Sequence, residues 1–194
     1  MPTAPRLLRY TRVAVVLHWL VAVLMIVNVA LILSVDSLPD EWVRPAIDTH
    51  KSTGITVLGL ALLRVFWRLG HPPPAMPVAY PAWERYSAHF VHGVLYLLIL
   101  ALPISGWLHD SAWKDAATHP MRLFGLVPWP RLGFIQGIEP VARESLHGLF
   151  GSIHTAFGYA LYVAFALHLA GALKHQFQGE REIQRMSFGG RPPA

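Results

Sequence analysis

Residues 154–177 read HTAFGYALYVAFALHLAGALKHQF, and this stretch decides the fold. From about Ile153 to Leu173 it is apolar and close to the roughly 20 residues a helix needs to cross the hydrocarbon core. It nevertheless keeps two histidines, His154 and His168, 14 residues apart. At about 100° per residue, 14 steps return to within about 40° of the starting direction. Both side chains therefore leave one face, displaced by about 21 Å along the axis, one near each side of a membrane. A histidine in hydrocarbon is costly unless something pairs with it.

Three further apolar runs lie upstream, at about 13–34, 50–69 and 90–108. No stretch alternates with period two, so a β-barrel is not indicated. The whole chain of 194 residues is 54% hydrophobic and only 14% charged, about half the charge of a soluble domain. With a mean hydropathy of +0.40, a soluble protein is excluded, and the aromatic content excludes disorder. The absence of cysteine rules out disulfides, thiolate-ligated clusters and covalent haem attachment. Arginines precede the first run, as in a signal peptide, but the run is long and no small-residue cleavage site closes it, so it reads as a retained helix.

The ends of the runs carry unequal charge. The N-terminal tail, the second connection and the C-terminal tail hold ten basic residues against three acids, and the first and third connections hold six against eight, giving +7 and −2. Basic segments stay inside, so both termini are expected to face the cytoplasm. The asymmetry also accounts for the basic pI without nucleic acid. HPPPAMPVAYP (71–81) cannot be helical and reads as a stiff link. The connection at 109–152 is long and aromatic, and an interfacial segment packed over the outer face is expected. One domain over 1–186 and a loose tail at 187–194 complete the expected organisation.

The other runs supply partners for the two histidines. His18 is early in the first run, at the depth of His168; His50 opens the second, at the depth of His154. Two imidazoles on opposite sides of a flat cofactor describe a six-coordinate b-type haem, whereas zinc takes three or four protein ligands. The expected fold class is thus an all-α membrane protein, a four-transmembrane-helix bundle enclosing two b-type haems. Gly54 and Gly158 follow His50 and His154 by one turn on the same faces and leave room for a macrocycle, or serve ordinary small-residue packing. Arg64 shares the His50 face at the depth of the inner pair and has two readings, a haem-propionate partner or a cation snorkelling to the interface.

YTRVAVVLHWL (10–20), HKSTGITVLGLALLRVFWRL (50–69), AHFVHGVLYLLILALPISGW (88–107), FGLVP (124–128), the 154–177 stretch and EREIQRM (180–186) together resemble the bacterial cytochrome b561 family. The resemblance implies a membrane cytochrome with two b haems, its ligand positions falling on His18, His50, His154 and His168. It implies electron exchange with membrane quinone, ubiquinone being the acceptor in a superoxide oxidase-like branch that draws electrons from periplasmic superoxide. Another branch anchors hydrogenases and formate dehydrogenases, which makes an electron-carrier subunit for a partner dehydrogenase the alternative. A haem-free transporter with a histidine-lined path is a third class, set against helices otherwise nearly all apolar. If superoxide is the donor, Lys51 beside His50 is the cation placed to attract it and the candidate catalytic residue; otherwise it is an interfacial anchor. His147 faces the same way as His154, two turns further out, as an ordinary loop histidine or a proton-handling group. His89, His92 and His175 read as interfacial, while His71, His109 and His119 give no signal. Pro103 is expected to kink the third helix.

Overall fold

The computed structural model describes residues 9–77, 80–180 and 182–188. Thr11 starts the first helix, α1 (Arg12–Ser34), its hydroxyl accepting from the Ala14 amide at 3.3 Å. A single 3-10 turn at Val35–Ser37 leads directly into α2 (Asp40–Gly70). Pro39 stands at its N-cap, with Asp40 and Glu41 against the positive end of the helix dipole. The irregular residues 72–77 then separate α2 from α3 (Ala82–Ser111), which continues through the buried Pro103. A two-stranded hairpin follows, β1 (Arg122–Leu123) paired antiparallel with β2 (Val127–Pro128), then the short α4 (Gly133–Gln136). Pro140 opens α5 (Pro140–Phe177), where the Glu139 carboxylate caps the Val141 and Ala142 amides. Glu182–Arg185 forms the short α6.

Four of these helices are long and apolar enough to cross a membrane. Each of the last three runs beyond its apolar stretch: α2 begins at Asp40 instead of about residue 50, α3 spans Ala82–Ser111 instead of 90–108, and α5 spans Pro140–Phe177 instead of 153–173. Hydropathy marks only what lipid must cover, while charged turns continue a helix into water. Arg44 and Asp48, one turn apart at 3.1 Å, stabilise such a turn in α2. His50 and His154 consequently sit well inside their helices, and the long connection narrows to residues 112–139.

The bundle is thin. α1 packs on α2, α2 on α3 and α3 on α5, whereas α5 makes no comparable backbone packing with α1 or α2. One buried cluster joins Val21, Val57, Ala61 and Ile99, and a second joins Leu98, Leu102, Leu161 and Ala164. Leu33, Leu63, Leu97 and Val163 stay exposed, which suits helices whose outer face meets lipid rather than water.

The two ends of the bundle are closed differently. At the hairpin end, Asp110 and Arg131 are each only 5% exposed and pair at 2.8 Å. Arg131 also donates to the carbonyls of Ala116 and His119. The Ser52 hydroxyl receives the Phe124 amide at 2.9 Å. The left-handed backbone at Phe124 (φ 51°) and Gly125 (φ 72°) makes the tight tip. Residues 112–139 are therefore folded against the ends of α2 and α3, as an interfacial segment would be. At the terminal end, Arg185 donates to the carbonyls of Pro74 and Ala75 and pairs with Glu182, and Trp19 donates to the Met186 carbonyl at 2.7 Å. The proline-rich link is thus docked under α6. Of the tail expected to be loose, 189–194 lie outside the described residues.

Candidate functional site

α5 carries one histidine of each pair, as its spacing requires. Its partner at the hairpin end is His50 on α2, with ring centres 6.1 Å from His154 and planes at 86°. At the terminal end it is His18 on α1, 6.3 Å from His168 and at 77°. These separations have a chemical meaning. A metal–imidazole bond is about 2.0 Å and the nitrogen lies about 1.1 Å from its ring centre, so two trans imidazoles on one iron place their centres about 6.2 Å apart. Both pairs match, and each joins α5 to a helix with which it shares little backbone packing. Among the described residues no group of three or more His, Cys, Asp or Glu gathers as a metal site.

The rings at the hairpin end are held from behind. His50 Nδ1 donates to the Asn28 carbonyl at 3.1 Å. His154 Nδ1 donates to the Leu102 carbonyl and the Ser105 hydroxyl, each at 3.0 Å. Since a carbonyl only accepts, the proton is fixed on Nδ1 and Nε2 is left with its lone pair, the arrangement of a metal-ligating histidine. Gly106 makes room for this ring, because a Cβ there would come within 3.2 Å of His154 Cε1. Gly158, one turn along from His154, would meet nothing within 4 Å, and at Gly54 a Cβ would meet only Asn28 Nδ2 at 3.7 Å. The open positions at Gly158 and Gly54 would suit a flat macrocycle beside the helices, and His50 and His154 would be the residues to hold its iron.

The terminal end differs. His18 Nδ1 is buried with no hydrogen-bond partner. His92, which reads from sequence as interfacial, packs on His168 with ring centres 5.1 Å apart, closer than ligation of one iron would place them. The signal was in the depths: His92 lies about as far into α3 from Ala82 as His168 lies from the Phe177 end of antiparallel α5. Arg64 and Arg68 both hold their guanidinium carbons 5.0 Å from the Tyr96 ring centre, and Arg68 donates to its hydroxyl at 3.3 Å. Among the described residues no carboxylate pairs with Arg64.

Lys51 is brought beside His50 but is not a free cation. Its Nζ lies 2.7 Å from Asp110 and 3.6 Å from Asp48. Arg44, Lys51 and Arg131 surround the Trp113 ring at 5.0, 5.8 and 6.0 Å; with Asp48 and Asp110 they leave this corner one positive charge in excess.

Two clusters escaped the sequence. His147 lies in α5 rather than a loop, and its ring stacks on His109 at 3.9 Å and 14°. Each Nδ1 donates to the other's backbone carbonyl at 2.9 Å, clasping α3 to α5. At the terminal end His175 pairs with Glu84 and Glu180 and stacks on Tyr80 at 4.4 Å, while Lys174 reaches Glu84 at 2.6 Å. Tyr80 donates to Glu182 at 2.7 Å, and burial together with that carboxylate pushes its phenol above the ordinary range.

The sequence pattern of prokaryotic cytochrome b561 matches residues 9–189. Cytochrome b561 homolog 2 of Escherichia coli (strain K12) is 31% identical over 183 residues, covering 93% of this chain and 92% of that one. Cytochrome b561 homolog 1 of the same organism is 26% identical over 140 residues, covering 72% and 73%. A Yersinia pestis protein called probable superoxide oxidase CybB is 28% identical over 177 residues, covering 87% and 89%. Geometry and likeness converge, and the chain belongs to the prokaryotic cytochrome b561 family of membrane electron-transfer proteins.

Proposed function

We propose that this chain holds two b-type haems, one between His50 and His154 and one between His18 and His168, and moves electrons between a one-electron donor at the hairpin end and membrane quinone. The observation that carries it is the pair of ring separations, 6.1 and 6.3 Å, each between helices that share little backbone packing. Bound there, each haem supplies a reversible one-electron iron couple. The chain's part is to fix the imidazoles, exclude water and set the charge around them. Asn28, Leu102 and Ser105 orient the hairpin-end rings, and Arg64, with no carboxylate of its own, is the propionate partner at the terminal end. The hairpin end faces the periplasm and both termini face the cytoplasm, as the +7 and −2 distribution favours.

Superoxide is the donor favoured by the likeness to a probable superoxide oxidase. Two superoxide anions, each losing one electron to leave dioxygen, supply the electrons that with two protons convert ubiquinone to its quinol. Arg44, Lys51 and Arg131, together one charge in excess of Asp48 and Asp110, draw the anion in, with Lys51 beside His50. The second reading, a carrier subunit for a periplasmic dehydrogenase, draws on the exposed Leu126, Phe134 and Val141 at the hairpin end; co-purification of a partner through that end favours it.

The test is a dithionite-reduced minus oxidised spectrum of the purified protein with pyridine haemochrome quantitation. Two b haems per chain are expected, with one lost in His50→Ala or His18→Ala. No haem in protein from haem-replete cells overturns the proposal. Stopped-flow reaction with superoxide and a soluble ubiquinone then decides the donor: Lys51→Gln slows a true superoxide reaction, and no reaction in the unaltered protein sends the function to the carrier reading.

A further inference from the structure

We infer that the chain tunes its two histidine pairs unequally, so that the hairpin-end pair holds the iron of lower reduction potential and the terminal-end pair the iron of higher potential, with Ser105 as a positioning residue for the former. This rests on the haem-binding reading above.

The first observation is the hydrogen bonding behind the rings. Both hairpin-end imidazoles give their Nδ1 proton to a backbone carbonyl, His50 to Asn28 at 3.1 Å and His154 to Leu102 at 3.0 Å. His154 shares that proton with Ser105, which is buried and donates its own hydroxyl proton to Leu102 at 2.9 Å. A hydroxyl that is donating becomes a better acceptor, so the three groups polarise one another. Drawing on the Nδ1 proton makes Nε2 a more basic ligand, and a more basic ligand favours the ferric over the ferrous state. At the other end His18 Nδ1 is buried without an acceptor, and among the described residues none is found for His168.

The second observation is charge and is independent of the first. Reduction adds one electron to a site, and nearby uncompensated cations favour it. Arg64 lies 14 residues after His50 on α2, about 21 Å along the axis and so at the depth of the His18–His168 pair, and among the described residues no carboxylate pairs with it or with Arg68, whose guanidinium it joins at the Tyr96 ring. At the hairpin end Lys51 and Arg131 are drawn onto Asp110 at 2.7 and 2.8 Å, and Lys51 also onto Asp48. Haem propionates add similar negative charge at either site, so the difference between the ends stands. Both effects have the same sign: oxidised iron is favoured at the hairpin end and reduced iron at the terminal end.

The test is a redox titration of the purified holoprotein followed by visible absorbance, with haem counted on the same sample. Two one-electron waves are expected, separated by at least about tenfold in reduction equilibrium, or about 59 mV. Ser105→Ala keeps every ligand and should raise the lower wave while leaving the upper one in place, with Ser105→Thr restoring it. Arg64→Met should lower the upper wave, and it tests the order independently if the Ser105 variant fails to load. A single wave, a Ser105→Ala shift confined to the upper wave, or no shift in either variant overturns the inference. Fewer than two haems in the unaltered protein instead overturns the haem-binding reading, so the two failures are distinguishable.

Discussion

A glycine replaced by alanine inside a helix ordinarily stabilises it by about 1 kcal/mol. At Gly158 the protein raises no objection, since a Cβ there meets nothing within 4 Å. At Gly54 it meets Asn28 Nδ2 at 3.7 Å, an ordinary contact. Judged from the polypeptide alone, Gly158→Ala and Gly54→Ala are harmless or mildly stabilising. If these glycines border a macrocycle between His50 and His154, the added methyl overpacks a filled slot. Overpacking costs about 1–3 kcal/mol, which corresponds to about 5- to 150-fold weaker haem binding. The assay is haem per chain by pyridine haemochrome, after dilution into apomyoglobin as a haem sink, with the melting of the chain measured in parallel. The expected result is a fully folded protein that yields one haem readily and keeps the other. Gly106→Ala is the control, because its Cβ would come within 3.2 Å of His154 Cε1 and displaces the ligand itself. Both variants holding two haems as tightly as the unaltered chain, while Gly106→Ala loses one, would refute the placement of a cofactor beside these glycines.

Removing the carboxylate that joins Lys51 to Arg131, as in Asp110→Ala, leaves the buried Arg131 without its ion partner and should cost about 3 kcal/mol, read as a lower melting temperature with faster proteolysis within residues 112–139. Gly151→Ala drives a Cβ to 2.9 Å from His109 Cε1 and should open the His109–His147 clasp, at about 1–3 kcal/mol of stability; unchanged melting would refute that role. Because burial and the Glu182 carboxylate push the Tyr80 phenol above its ordinary value near 10 in the folded state, its contribution is fully present below about pH 10 and is lost as pH climbs through the folded value. Protection of the 182–188 segment from proteolysis should therefore fall at high pH, and Tyr80→Phe should remove that part of the dependence. The chain has no cysteine, so single Leu126→Cys and Phe188→Cys variants report orientation directly: an impermeant maleimide should label residue 126 in intact spheroplasts and residue 188 only after lysis, and the reverse pattern would refute a cytoplasmic location for both termini.

What the sequence could disclose followed from what each signal measures. The four spans stood out because lipid imposes hydropathy over a known length, and the histidine pairs because helical periodicity converts spacing into direction and depth. Helix ends did not, because the turns from Asp40 and from Pro140 lie beyond the apolar stretches yet are helical, held by the Arg44–Asp48 ion pair in α2 and by the Glu139 cap in α5. His92 was missed because its closeness to His168 depends on which helices are neighbours. The His109–His147 clasp joins two backbones that sequence spacing does not relate. Lys51 was legible as a cation beside His50, but its neutralising partner Asp110 belongs to another helix.

The division of labour among the helices explains why a thin bundle can define a site. α5 supplies one histidine to each pair, so the distance between the two pairs is set by a single rigid element, about 21 Å along its axis. α1 and α2 each supply one ligand and need only meet α5 at a single depth. Their own mutual packing, with Val21, Val57 and Ala61 in the buried cluster, holds those two depths in register. α3 supplies none of the four, yet it alone packs closely on α5 and on α2, and it carries Leu102, Ser105 and Gly106 behind His154. A substitution on α3 can therefore change the ring behind which it stands without touching a ligand.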